Sequence, residues 1–286
     1  MLIVGTANFG QSYGIKNNKQ LDKTEINTIL NYASKSDVTH LDSASQYGKS
    51  QNIISEYTNN KFNIITKFAS ETFLDFQKAL SELNSSADNL KPHFIDTVLL
   101  HDAENLFSKN ADLIYKNLCT LKSKGLIKCI GISVYSPDGL VRILEHYDFD
   151  IVQIPINVLD RRIVQNNFLD KIKKSGIEVH ARSIFLQGLL LMELRDLPSN
   201  FHKWKELFIK FDNWCDDHSI SRLEACVQFI KKQDFISKIV IGVDSYDNLV
   251  DIHRAYNLKF PNSFFIPSSI SSNDEYLVNP TLWSKT

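Results

Sequence analysis

Short apolar runs alternate with amphipathic stretches eight times along this chain, and that alternation limits the fold more than any single residue. Val- and Ile-rich runs that read as strands begin at residue 2 and fall at residues 38–41, 62–67, 94–101, 127–134, 150–155, 177–182 and 238–242. Nearly all are separated by stretches with helical spacing. In residues 25–35, Ile26, Ile29 and Leu30 share a face; in residues 73–84, Phe76, Leu80 and Leu83 do. Further helices are expected at 50–58, 111–124, 137–146, 166–175, 201–218, 221–232 and 245–258. Thr24 stands at an N-cap position, Pro137 at a first helical turn, and Gly125 and Gly176 where helices stop. Strand, helix, strand in succession builds a parallel sheet with right-handed crossovers. Eight such units in about 260 residues fit a closed (β/α)₈ TIM barrel. A doubly wound open sheet is the alternative, but no Gly-x-Gly-x-x-Gly follows any strand. With no internal repeat, linker or composition break, residues 1–286 read as one domain. Residues 259–286, with Pro261, Pro267 and Pro280, read as an irregular C-terminal arm.

Composition narrows the function classes. A net charge of −1 over 286 residues argues against a nucleic-acid binder, which would carry a basic stripe. Cys119, Cys129, Cys215 and Cys226 lie far apart, so neither a disulfide framework nor a zinc site is expected. The N-terminal residues lack the charge and length of a secretory leader, and no apolar run reaches the roughly 18 residues of a membrane span. The expectation is a cytoplasmic protein with a small-molecule substrate, no nucleic-acid partner and no membrane partner. Oligomeric state is not legible.

In a barrel of this kind, chemistry gathers at the C-terminal ends of the strands. Asp42, Lys67, His101, Ser133, Gln153 and Arg182 each end an apolar run there. A strand packed on both faces has no cheap place for a lysine, so Lys67 is informative. The stretch His40-Leu-Asp-Ser-Ala-Ser-Gln-Tyr-Gly48 adds Tyr47 five residues after Asp42. On its own it also reads as a surface loop capping the next helix. A tyrosine hydroxyl has a reference pKa near 10. A neighbouring ammonium is expected to pull it down, and a carboxylate can hold that ammonium in place. A histidine can donate to an oxygen on which negative charge develops. Asp42, Tyr47, Lys67 and His101 together would make a general acid beside an oriented carbonyl.

The order Asp42-x-x-x-x-Tyr47-Gly48, then Lys67, then His101 resembles the aldo-keto reductases. Other stretches match in sequence order. They are Gly5-Thr-Ala-Asn-Phe-Gly10, Gly125-Leu-Ile-Lys-Cys-Ile-Gly-Ile-Ser133, Gln153-Ile-Pro-Ile-Asn157, Ser183-Ile-Phe-Leu-Gln-Gly-Leu-Leu190 and Ile241-Gly-Val-Asp-Ser245. The resemblance implies a (β/α)₈ enzyme moving a hydride between a nicotinamide cofactor and a carbonyl. It implies Tyr47 as general acid, tuned by Lys67 and Asp42, with His101 orienting the carbonyl. Ser133 and Gln153 would hydrogen-bond the nicotinamide carboxamide, and Gly5, Thr6 and Arg182 would also contact the cofactor. Ser183, Leu186, Gln187 and Gly188 would lie along the pyrophosphate. Gly242, Val243, Asp244, Ser245 and Asn248 would line the adenosine end. Three positions depart from the family pattern. Val134 replaces an asparagine, Arg182 a tyrosine that stacks on the nicotinamide, and Asp244 the cation that grips a 2′-phosphate. Some branches of the family share the arginine. NADP is expected on family grounds; NAD competes because a carboxylate repels the phosphate.

Other signals weigh less. His101-Asp102-Ala-Glu104 lacks the spacing of a metal site. Arg161-Arg162 reads either as a solvated pair or as the lining of a mouth for an anionic substrate. The arm either closes over the substrate or docks away from it. Two further functions are compatible with the sequence: a regulatory cofactor-binding protein on the same fold, and a sugar epimerase or isomerase that retains its cofactor.

Overall fold

The computed structural model describes residues 1–15, 19–164, 168–261 and 263–285. Eight parallel strands close into a barrel in sequence order. They are β1 (Leu2–Gly5), β2 (His40–Asp42), β3 (Asn63–Phe68), β4 (Phe94–Leu100), β5 (Cys129–Ser133), β6 (Ile151–Pro155), β7 (Glu178–Arg182) and β8 (Lys238–Gly242). Closure is made by β1 on β8, with Leu2 beside Ile239 and Gly5 beside Gly242. The open sheet is thereby excluded.

Side-chain parity decides what each strand contributes. Ile3, Ile65, Leu99, Ile151 and Val240 form a separate buried cluster inside the barrel. Their neighbours Val4, Ile64, Val98, Val152 and Ile241 belong to the larger core under the helices. Two residues beyond the inner apolar set, the same parity brings Lys67, Gln153 and Gly242 to the mouth. The barrel is thus packed below and polar above, each buried Ile or Leu contributing about 1.5–3 kcal/mol.

Helix boundaries moved where capping chemistry outweighed periodicity. The helix expected at 73–84 is a 3₁₀ turn at Ser70–Leu74 followed by an α-helix at Phe76–Leu90. Asp75 is the reason: its side chain accepts from the Lys78 N–H at 2.7 Å. The stretch 201–218 likewise divides into a 3₁₀ segment, Ser199–Trp204, and a helix, Lys205–Asp217. The helix expected to start at residue 166 is described from Phe168 to Ser175; its first residues lie outside the described ones. Among the described residues, no helix is long and apolar enough to cross a membrane.

The arm is more ordered than its prolines suggested. It carries a 3₁₀ turn at Ser268–Ile270 and a short helix at Glu275–Val278. Arg161, 6% exposed, donates to the Val158 and Ile266 carbonyls and stacks on Phe229 at 4.7 Å. Arg162 binds Asp160 through Nε at 2.8 Å and Glu275 at 3.2 Å. Neither lines a substrate mouth and neither is a solvated pair. They clamp the arm to the loop after β6.

Candidate active site

The loop after β2 is fixed by backbone bonds to both neighbouring strands. Thr6 N–H donates to the Asp42 carbonyl at 2.9 Å, Ser43 N–H to Ile65 at 2.8 Å and Ser45 N–H to Lys67 at 3.1 Å. Ser50 Oγ, at the start of the next helix, donates to Thr6 O at 3.0 Å. Gly10 sits so close that a Cβ there would lie 1.9 Å from the Tyr47 carbonyl oxygen, and Gly48 adopts φ +56°. These contacts set where Tyr47 stands.

Lys67 is 2% exposed and its ammonium bonds Asp42 Oδ1; it also reaches the Ser43 carbonyl at 3.3 Å. Gln153 Nε2 donates to the other oxygen, Asp42 Oδ2. Both carboxylate oxygens are therefore satisfied, as a buried charge requires. Lys67 Nζ lies 5.4 Å from the centre of the Tyr47 ring. The Tyr47 and His101 rings meet edge to face, 5.8 Å apart and at 83°. Asp42, Tyr47, Lys67 and His101 thus converge from three different strand ends.

The electrostatics differ from the sequence expectation. Burial, then the Asp42 charge, pushes the Tyr47 hydroxyl well above its ordinary value of 10, and Arg182 is the cation that pulls it back. Burial and the Asp42 charge outweigh any pull toward the phenolate, so the expected lowering of the Tyr47 pKa is reversed. Tyr47 is therefore protonated across the neutral range. Burial, with repulsion from Lys67 next, lowers His101 to about 4, so its imidazole is neutral at pH 7. Its Nδ1 is buried without a hydrogen-bond partner.

Arg182 crosses the opposite side of the mouth. Nε donates to Ser133 Oγ at 3.2 Å, Nη1 to Ser183 Oγ at 3.2 Å and Nη2 to the Val134 carbonyl at 2.9 Å. Its guanidinium lies 4.2 Å from the centre of the Tyr135 ring. The chain then turns through Ser183, Leu186, Gln187 and Gly188, all with positive φ. Strained backbone of this kind gathers at ligand clamps.

These groups border a cleft of about 1110 Å³ at the C-terminal end of the barrel, open to solvent. Gly5, Thr6, Asp42, Tyr47, Lys67, His101, Ser133, Gln153, Arg182, Ser183, Gln187, Gly188, Gly242, Asp244 and Asn248 all line it. Leu186 and Val243 do not; both are fully buried in the core. Ser245 caps the following helix, its hydroxyl accepting from Asn248 N–H at 3.1 Å. Asn8, Tyr13, Tyr135, Phe185 and Leu191 also line the cleft and were not singled out in the sequence. Tyr135 was findable, two residues past Ser133 at a strand mouth. Tyr13 sits in an irregular loop, held by Ile15 N–H on the Gln187 carbonyl at 3.0 Å, and no periodic signal marks it. No described residue of the arm lines the cleft.

The cleft suits a nicotinamide dinucleotide. Gln153 Oε1 is buried with no hydrogen-bond partner, an acceptor that a carboxamide N–H would satisfy. At Gly242 a Cβ would meet nothing within 4 Å, which leaves the mouth of β8 clear.

The Aldo/keto reductase family model matches residues 1–266. The chain is 23% identical to D-arabinose 1-dehydrogenase of Saccharomyces cerevisiae, over 97% of this chain and 88% of the yeast protein. It is also 23% identical to D-threo-aldose 1-dehydrogenase of a Pseudomonas species, over 65% of this chain and 59% of that one. An aldo-keto reductase structure from Bacillus halodurans shares the fold, with a TM-score of 0.73 and 18% identity over 90% of this chain and 87% of that one. The chain belongs to the aldo/keto reductase family and is an oxidoreductase of that family, whose members generally use nicotinamide cofactors.

Proposed function

We propose that this protein reduces an aldehyde, ketone or open-chain sugar carbonyl to the alcohol, with Tyr47 as general acid. The observation that carries this reading is the convergence of a protonated, half-buried Tyr47 with neutral His101 above the Asp42–Lys67 pair. When bound, the cofactor supplies the hydride. Ser133 and Gln153 would hold its carboxamide, and Gly242, Asp244 and Asn248 its adenosine end. Neutral His101 donates to the carbonyl oxygen and fixes its position beside Tyr47. Tyr47 gives up its proton as that oxygen gains charge. Asp42 and Lys67 keep the ring and its surroundings in register. The same groups run the reverse reaction, since the acid of one direction is the base of the other. The choice between NADP, expected on family grounds, and NAD turns on Asp244, a carboxylate at the cleft where a 2′-phosphate would approach.

The test is a panel of aldehydes, ketones and aldoses with each reduced cofactor, read as cofactor oxidation. Turnover with saturable carbonyl dependence supports the reading. Cofactor fluorescence quenching without consumption across the panel would place the protein among non-reducing binders of the same fold.

A further inference from the structure

Resting on the carbonyl-reduction reading, we propose that Arg182 is a receptor for an anionic group of the substrate, and that the preferred substrates are carbonyl compounds bearing a carboxylate. Three observations carry this. Arg182 has five N–H donors, and three are taken, all by neutral acceptors: Ser133 Oγ, Ser183 Oγ and the Val134 carbonyl. One N–H on each terminal nitrogen remains, the pair with which a guanidinium grips a carboxylate.

No carboxylate stands within ion-pair distance of Arg182 among the described residues. The other buried or half-buried arginines are accounted for differently. Arg162 is paired with Asp160 and Glu275, and Arg222 with Asp212. Arg161 is sealed under the arm on two carbonyls. Arg182 differs in bordering the cleft and in being held flat by the Tyr135 ring at 4.2 Å. A cation so positioned loses little entropy when it binds.

The other charged groups bordering the cleft are the Lys67–Asp42 pair and Asp244, past the end of β8 and not in an ion pair with Arg182. Lys67 is taken up in its ion pair with Asp42, and His101 is neutral at pH 7. Arg182 therefore stands beside the Tyr47 chamber as a cation with no carboxylate at ion-pair distance among the described residues, in a setting where water is partly excluded and attraction to an anion is strengthened.

The experiment compares acids with their methyl esters: glyoxylate, succinic semialdehyde and 4-carboxybenzaldehyde against methyl glyoxylate, methyl 4-oxobutanoate and methyl 4-formylbenzoate. Wild type, Arg182→Gln and Arg182→Lys are assayed, and cofactor binding is measured separately by fluorescence quenching. The expected result is that at least one acid exceeds its ester in kcat/KM by roughly 10- to 100-fold. Arg182→Gln brings that ratio toward one through KM, and Arg182→Lys restores part of it. Ratios near one in all three wild-type pairs overturn the proposal and leave carbonyl reduction standing. A drop in cofactor affinity in Arg182→Gln with an unchanged acid-to-ester ratio also overturns it, assigning Arg182 to the cofactor alone. Glyceraldehyde 3-phosphate against glyceraldehyde is the phosphate arm; a preference there without any carboxylate preference overturns the carboxylate assignment. Succinate binding to the cofactor-loaded protein, by calorimetry, separates the two readings. Binding lost in Arg182→Gln, with no carbonyl turned over in any assay, upholds the anion site and sinks carbonyl reduction.

Discussion

On the β2–β4 side of the mouth, Lys67 is buried at 2% exposure with its charge held against Asp42. On the β5–β7 side, Arg182 is half-buried and rests on two hydroxyls, a carbonyl and a tyrosine ring. Both are cations at strand ends, yet their surroundings give them opposite reach. Lys67, paired at contact distance, holds Asp42 and still repels a proton from His101; Arg182, with no carboxylate partner among the described residues, can meet an incoming anion. Arg182 lowers the affinity of Tyr47 for its proton, against burial and the Asp42 charge.

The largest effect that can break this contrast is at Lys67. Lys67→Met leaves the Asp42 carboxylate buried without its cation, and urea denaturation should show a loss of about 3–5 kcal/mol. Arg182→Met, which strands no carboxylate, should lose about 1 kcal/mol by the same measurement. Equal losses in the two variants would erase the distinction. Adding Asp42→Asn to Lys67→Met should recover part of the loss.

The next effect in size is a pH dependence. Folding lowers the His101 pKa from 6.5 to about 4, so protonation favours the unfolded chain. Its contribution is fully present above about pH 6.5 and is lost as the pH falls toward 4, by up to about 3 kcal/mol. His101→Asn should flatten the stability profile over that window. An unchanged slope would show that His101 is not held neutral by burial and Lys67.

Arg161 is the internal control for Arg182, since each is held by neutral acceptors. Arg161→Met should cost about 1–2 kcal/mol through loss of its two carbonyl bonds, with kcat/KM nearly intact. A large catalytic loss would mean that the arm governs the cleft from a distance. The smallest effect is expected at Asp244. Asp244→Arg should shift the NADP-to-NAD preference by about tenfold toward NADP, near 1.4 kcal/mol, without altering the melting temperature.

Much of this was legible in the chain because two periodicities did the work. Strand parity carries Ile65 to Lys67 and Ile151 to Gln153, so apolar runs ending in polar residues mark the mouth. The parts that were not legible depend on neighbours. Asp75 displaced a helix start because one cap bond outweighed an apolar repeat. Arg161-Arg162 read as solvated or substrate-facing because nothing local reveals that Ile266 and Glu275 fold back onto them. Tyr47 was expected to be acidified because sequence shows a nearby lysine but not the burial that raises the hydroxyl's pKa. The side chains of Leu186 and Val243 are buried in the core, so any part they take at the cofactor is through the backbone, as proposed for the 183–188 turn.

The central claim is that Tyr47 donates the proton in carbonyl reduction, and Tyr47→Phe tests it most directly. Cofactor affinity and carbonyl turnover should be measured on the same sample. The account predicts affinity within about twofold of wild type and a kcat lower by about 10²- to 10⁴-fold. Turnover near the wild-type rate with cofactor bound would contradict it.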